Sequence, residues 1–360
     1  MDLAPRAPLQ ASARPPAGSL WLRGWLVPVG SVLAGLFAFG LFVAAIGHNP
    51  LVVFATIAEG GFASSFAWQN TLLRAAPLIL TGLAVALPAQ AGLVVIGAEG
   101  ALALGALAAS VVAVPIASQL APQAVPLAWL AGGLAGMAAG GAWYALIGLF
   151  RARRGLNETI SSLLMSYIAI AVFNHLVEGP LRDAASLNKP STLPLPAEAM
   201  IGSLPGLDVH WGLLLGIVAC LLAQIVISRS TWGFSLRVAG GNPRAAMLVG
   251  LPVGTLIVLA CVAGGASAGL AGAIEVMAVH GSANASVLAG YGTTGILVSF
   301  MARHQPLAVI PVAVLMGGIA AAGSLLQRRL DMPDATTMVL QGLLFVAILA
   351  GDAFRPKDQR

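Results

Sequence analysis

Few side chains in this sequence are equipped for chemistry, and those few sit where water is scarce. Glu99 stands between glycines in "IGAEG", inside a run from Ala91 to Ser110 that holds no other charge. Glu275 and His280 share "EVMAVHG" late in a second apolar run, and Asn157, Glu158 and Tyr167 lie near the ends of a third. A carboxylate at the centre of a membrane-crossing helix costs about 2.5 to 3.5 kcal/mol on insertion scales, so it persists only beside water, a partner or a solute.

Each residue has two readings. Glu99 either caps the exposed amides of a half-helix or lines a solute path. Glu275 either snorkels to an interface or touches solute, and His280 is either an interfacial anchor or a ligand. Asn157 and Glu158 open a helix with an acid in its first turn, or they face a path. Hydrolytic chemistry has no carrier here: H-E-x-x-H, C-x-x-C and G-x-S-x-G are absent. So is G-x-x-x-x-G-K-[ST], the phosphate-cradling loop, which leaves the chain with no nucleotide, metal or other cofactor of its own. Cys220 and Cys261 sit in apolar runs and read as small core residues.

The elements that hold these residues must cross a membrane. Of 360 residues, 58% are hydrophobic and only 9% charged, against roughly 25% charged in soluble domains. At about 20 apolar residues per crossing, the sequence predicts an all-α polytopic protein of about ten spans. They are 25–46, 71–90, 91–114, 126–149, 159–177, 211–228, 254–278, 287–301, 306–323 and 336–352, the eighth short enough to be a broken helix. The transmembrane domain is thus 25–352, between a disordered cytoplasmic tail at 1–24 and a second cytoplasmic tail at 353–360. Long connections fall at 178–210, an irregular proline-rich cap, and at about 229–253.

Charge orients the spans. Arg6, Arg14, Arg23, Arg151, Arg153, Arg154, Arg229, Arg237, Arg244, Arg303, Arg355, Lys357 and Arg360 fall on one side, with Arg182, Lys189, Arg328 and Arg329 on the other and Arg74 at an edge. That bias puts both termini in the cytoplasm. Scattered basic clusters without interleaved aromatics exclude nucleic acid as a partner. Small residues recur at spacings of about four in "AGGLAGMAAGGAW" and "CVAGGASAGLAGA", a pattern that lets helix backbones approach closely in lipid.

Five stretches, in order, resemble one family. They are "AGLVVIGAEGALALGALAA", "RGLNETISSLLMSYIA", "GFSLRVAGGNPRAAMLVGL", "AGLAGAIEVMAVHG" and "GYGTTGILVSFMARHQPLAVIPVAVLMGG". From about Thr71 to its end the chain resembles a permease subunit of a bacterial ATP-binding-cassette (ABC) importer, in the nucleoside and simple-sugar (ribose-type) branch. The resemblance implies an inner-membrane subunit that is not itself an enzyme. Its partners would be a cytoplasmic ABC ATPase that uses the ATP, a second permease (homologous or another copy), and a periplasmic or lipid-anchored substrate-binding protein. Nucleoside permeases commonly carry Phe-Asn where Val94-Val95 stand here, Gln at Ala101, and Phe-Asp where Thr293-Thr294 follow "GYG". These departures bear on the solute and add Tyr291, Thr293 and Thr294 to the path candidates.

The resemblance also gives Ser235 to Gly250 the role of a coupling helix seated on the ATPase. The residues agree: Asn242 can cap a helix that Pro243 begins, followed by Ala245 and Ala246, while Arg237 and Arg244 can pair with acidic groups of the partner. Three alternatives remain at this point: a simple-sugar permease, a proton-coupled secondary transporter carrying protons on Glu99 or Glu275, and a membrane scaffold, which would have no use for a docking helix.

Overall fold

The computed structural model describes residues 17–119 and 125–353, with side chains from residue 29 to 351. The tails expected at 1–24 and 353–360 lie outside the described residues but for their inner edges. The described residues form helices joined by irregular segments, with no strand beyond two isolated bridges, Ser191 with Asn284 and Ser203 with His210.

Local signals set the helix starts. After α1 (Ala17–Ala45), Asn49 accepts from Leu51 N–H and Pro50 opens α2 (Pro50–Phe62). Ser64 accepts from Ala67 N–H at the start of α3 (Ser65–Ala89). Next come α4 (Ala98–Gln119), α5 (Val125–Arg154), α6 (Glu158–Glu178) and α7 (Gly212–Arg229). Two short helices follow, α8 (Thr231–Gly241), capped by Ser230, and α9 (Pro243–Leu248), capped by Asn242. The chain then continues through α10 (Val253–Ile274), which runs into a π turn at Glu275–His280, and on to α11 (Tyr291–Met301), α12 (Pro306–Leu330) and α13 (Ala335–Ala353). An N-cap of this kind stabilises a helix by about 1 kcal/mol.

Among the described residues, the expected ten spans reduce to seven helices long and apolar enough to cross a membrane: α3, α4, α5, α6, α7, α12 and α10 with its π turn. An eighth results if residues 29–45 of α1 count together with α2, although the chain bends by 117° between them. The run at 287–301 forms a helix too short for a straight crossing, and the run at 336–352 forms α13, an apolar helix that falls just outside this set over 335–351. Apolar composition overcounts here because a run ending in a buried loop looks the same as a crossing.

Two ends are distinct. At the cap end, loop 179–211 is held by Gln69 to Asp208 (3.3 Å), by the Trp129 indole to Ala199 O (2.7 Å) and by Ser110 to Thr192 (2.6 Å). At the opposite end, Gln90 donates to His304 O (2.8 Å), and Gly92, at φ +74, lies against the backbone of Gly240 on α8. Arg151, Arg153, Arg154, Arg229, Arg237 and Arg244 share this second end.

The centre is α10, wrapped mainly by α5, α4 and α3. In lipid, helices associate by close van der Waals contact because their surroundings are as apolar as they are. Glycine makes that contact possible: a Cβ at Gly105 would overlap Gly269, one at Gly269 would overlap the carbonyl of Gly136, and Gly140 and Gly265 exclude one another's Cβ in the same way.

Candidate functional site

Although the sequence reads as a span from residue 91, the helix does not begin until Ala98; Leu93 to Gly97 has no regular secondary structure and lies between buried elements. An unsatisfied amide in a membrane interior costs several kcal/mol, so these groups need partners, and α6 supplies them from one face. The Thr159 hydroxyl donates to Val94 O (2.9 Å), Ser162 Oγ accepts from Ile96 N–H (2.9 Å), and Ser166 Oγ accepts from Gly100 N–H (2.9 Å). Their spacing of three and four residues places all three on one stripe of a helix.

The break delivers Glu99 into the first turn of α4, and there its carboxylate meets a second helix start. Gly290 N–H donates to Oε1 at 3.0 Å, and Gly292 N–H donates to Oε2 at 2.5 Å. Gly290, at φ +81, is the N-cap residue of α11 and offers no side chain of its own, so Glu99 caps α11 from another helix. The N-termini of α4 and α11 therefore converge on one carboxylate, and each contributes a partial positive charge that stabilises it. Thr81 on α3 donates to Tyr291 O at 3.0 Å and anchors the same turn.

Around this joint lies a polar cluster. The Tyr291 hydroxyl is within electrostatic reach of Glu275, Arg74 and Glu99. Glu275 is buried, and its Oε2 lies 3.5 Å from His280 Nε2. His210, at the end of the cap loop, accepts from Gly212 N–H through Nδ1 at 3.1 Å, which places its proton on Nε2, and that nitrogen is buried with no partner among the described residues. Burial holds the His210 imidazole below its ordinary pKa, partly offset by the Glu275 carboxylate. Around Glu99, whose two oxygens are taken, the cluster brings together the Glu275 carboxylate, an imidazole N–H, a phenol and a guanidinium. No group of His, Cys, Asp or Glu among the described residues has the arrangement of a metal site.

The other sequence candidates are dispersed. Thr293 donates to Gly290 O at 2.8 Å beside the joint, and Thr294 is half-buried next to it. Asn157 caps α6 through Thr159 and Ile160 N–H, and Glu158 pairs with Arg151 at 3.4 Å, both at the end opposite the cap. Tyr167 is 64% exposed on α6. Sequence reasoning missed Arg74, set aside as an edge residue, His210 and the Thr159–Ser162–Ser166 stripe. That stripe was visible as hydroxyls at helical spacing in "NETISSLLMS".

At the opposite end, Asn242 Oδ1 accepts from Ala245 N–H at 3.1 Å and Pro243 takes the first position of α9. Ala246 is buried, whereas Arg244, Ala245, Met247, Leu248 and Val249 are exposed, Leu248 at 90%. Arg237 is tied to Ile227 O at 2.6 Å, which braces α8 against α7.

Comparison with known proteins accounts for this architecture. The model of the family described as branched-chain amino acid transport system / permease component matches residues 67–349. The glucose ABC transporter permease protein TsgB13 of Haloferax volcanii is 32% identical, across 92% of this chain and 89% of its own length. The guanosine ABC transporter permease protein NupP of Bacillus subtilis is 28% identical, across 92% and 94%. The nucleoside ABC transporter permease protein NupB of Lactococcus lactis is 22% identical, across 89% of each.

Proposed function

We infer the solute and the partners from one premise: the chain belongs to the branched-chain amino acid transport system permease family and is a membrane subunit of an ABC transporter. Its role is transport, and the chemistry of ATP belongs to a partner. The solute we propose is a nucleoside or a related purine or pyrimidine compound, carried inward across the cytoplasmic membrane with both termini inside. The guanosine and nucleoside permeases among its relatives support that reading. A simple sugar is the second reading, favoured by the 32% identity to a glucose permease. A ribosyl group and a hexose present the same vicinal hydroxyls to Glu275, Arg74, Tyr291 and His210.

The observation that carries the mechanism is the pairing of a broken-helix joint with an exposed apolar docking helix. On the ATPase side, Met247 and Leu248 of α9, with Val249 just beyond it, present an uncovered apolar surface next to Arg244, and Arg237 is exposed on the neighbouring α8. This fits a groove in a cytoplasmic ATPase, and the excess of arginine at that end supports a cytoplasmic position for it. Closure of two ATPase subunits would pull α9, and through α8 and α10 it would shift the cluster around Glu99. A second permease, or another copy of this one, completes the path, and a binding protein delivers solute to the cap loop.

The deciding experiment is uptake into vesicles that contain the complete transporter. Labelled guanosine should accumulate only with ATP inside and binding protein outside. Accumulation of glucose with exclusion of guanosine would select the sugar reading. Uptake driven by a proton gradient without ATP would remove the importer mechanism.

A further inference from the structure

Outside the polar cluster, the chain leaves a groove of about 470 Å³ between α5 and α7, over the cap-side part of α10. It exists because α5 packs along α10 and α7 packs on α3, while α5 and α7 do not pack on each other. Ile274 and Met277 form its buried floor. Leu130 and Leu134 on one lip, and Leu214 and Leu215 on the other, are 41% to 60% exposed. Trp129 and Trp211 line the groove toward the cap end, where Trp129 is held by Ala199 O, and Ile201 N–H donates to Met277 O at 2.8 Å.

No residue lining the groove is charged, a hydroxyl or an amide. A solute site needs a few convergent polar groups, and water needs two to four polar partners, so neither can occupy it. Its lips lie on the lateral surface of a membrane-spanning chain, where the surrounding medium is hydrocarbon. At roughly 30 Å³ for a water-sized group, the groove of about 470 Å³ holds on the order of fifteen methylenes, the length of one acyl chain. Two tryptophans at one end mark the membrane interface and the leaflet from which the chain enters.

We propose that the groove is a site for one acyl chain of a phospholipid from the leaflet on the cap side. Selection is by shape, since lipid tails and leucines are equally apolar. The occupant braces Ile274 and Met277, which border and enter the π turn that carries Glu275 and His280.

The test uses the complete transporter in nanodiscs of dioleoyl phosphatidylglycerol, released into detergent for native mass spectrometry. Gly133 lines the groove, and a Cβ there meets only Leu270 Cδ1 at 3.8 Å, an ordinary contact, so Gly133→Leu fills the space without displacing a helix. Met137→Trp fills it from the same helix should the first variant fold poorly. Retained phospholipid should fall in either variant, because the filled groove no longer has room for the chain. Leu222→Phe, on exposed α7 surface outside the groove, should retain it. Equal retention in parent and filled variants would overturn the site, as would a parent that retains none. Rapid disulfide formation between two Leu134→Cys copies in membranes would also overturn it, because a second permease would then cover the groove.

Discussion

Glu99 and Gly292, 193 residues apart, join the first turns of two helices through one hydrogen bond of 2.5 Å. The other carboxylate oxygen is taken by Gly290 N–H, so both oxygens accept from backbone donors. This makes glutamine a poor mimic of glutamate at this position. Glu99→Gln sets its amide NH₂ against one of two N–H donors and should lower stability by about 1 to 3 kcal/mol. Glu99→Leu removes both acceptors and should cost more. Thermal unfolding of the purified transporter measures both, and an unchanged melting temperature in Glu99→Gln would rule out the cap. Lost uptake by a normally stable Glu99→Gln would point instead to direct contact with solute.

The hydroxyl stripe on α6 makes an independent claim. Ser162→Ala and Ser166→Ala each strip the acceptor from one buried amide, Ile96 N–H or Gly100 N–H, and should each cost about 1 to 3 kcal/mol. Ser161→Ala, whose hydroxyl bonds only within its own helix turn, should cost less than about 0.5 kcal/mol. Similar melting temperatures for all three would show that Leu93 to Gly97 finds other partners.

Coupling should respond to the uncovered tip of α9. Leu248→Asp places a charge where the partner's apolar groove is expected, and substrate-stimulated ATP hydrolysis should fall about tenfold, as for loss of an interface anchor. Arg244→Glu should act in the same direction. Membrane insertion, followed by fluorescence of a fused reporter, should match the parent in both. Full coupling in both variants would remove α9 from the interface.

Orientation can be read with impermeant thiol reagents. Leu187, 81% exposed in the cap loop, should react from outside intact cells once changed to cysteine. Leu248→Cys should react only after permeabilisation. Native Cys220 and Cys261 are buried and should stay silent, so no cysteine-free background is needed. The opposite labelling pattern would invert the topology.

The parts of this structure visible in the sequence are those that depend on neighbours in the chain. Asn242 and Pro243 announce α9, and Asn157 with Glu158 announces α6, because a cap involves residues two or three apart. The break before Ala98 was hinted only by Glu99 between glycines: Leu93 to Ile96 is as apolar as any span, and its non-helical form depends on hydroxyls 65 and 66 residues further on. The start of α11 was hidden for the same reason, since Gly290 is capped by a residue of another helix. Arg74 looked like an edge residue and His210 was only the last residue of the cap segment, because only the fold brings them near Glu275 and Tyr291.

The glycine contacts among α4, α5 and α10 have a mechanical meaning. Backbones that touch through Gly105, Gly136, Gly140, Gly265 and Gly269 leave no side-chain layer to shear, so these three helices must turn as a single block. Motion imposed by ATP can then be absorbed at the borders of that block, among them the seam with α11, closed by two backbone N–H groups on a single side chain. A transporter built this way has a stiff rotor and a bearing at that seam. Methyl groups added to the rotor, as in Gly269→Ala, should abolish assembly outright, while small changes at the bearing should tune turnover and leave the fold standing.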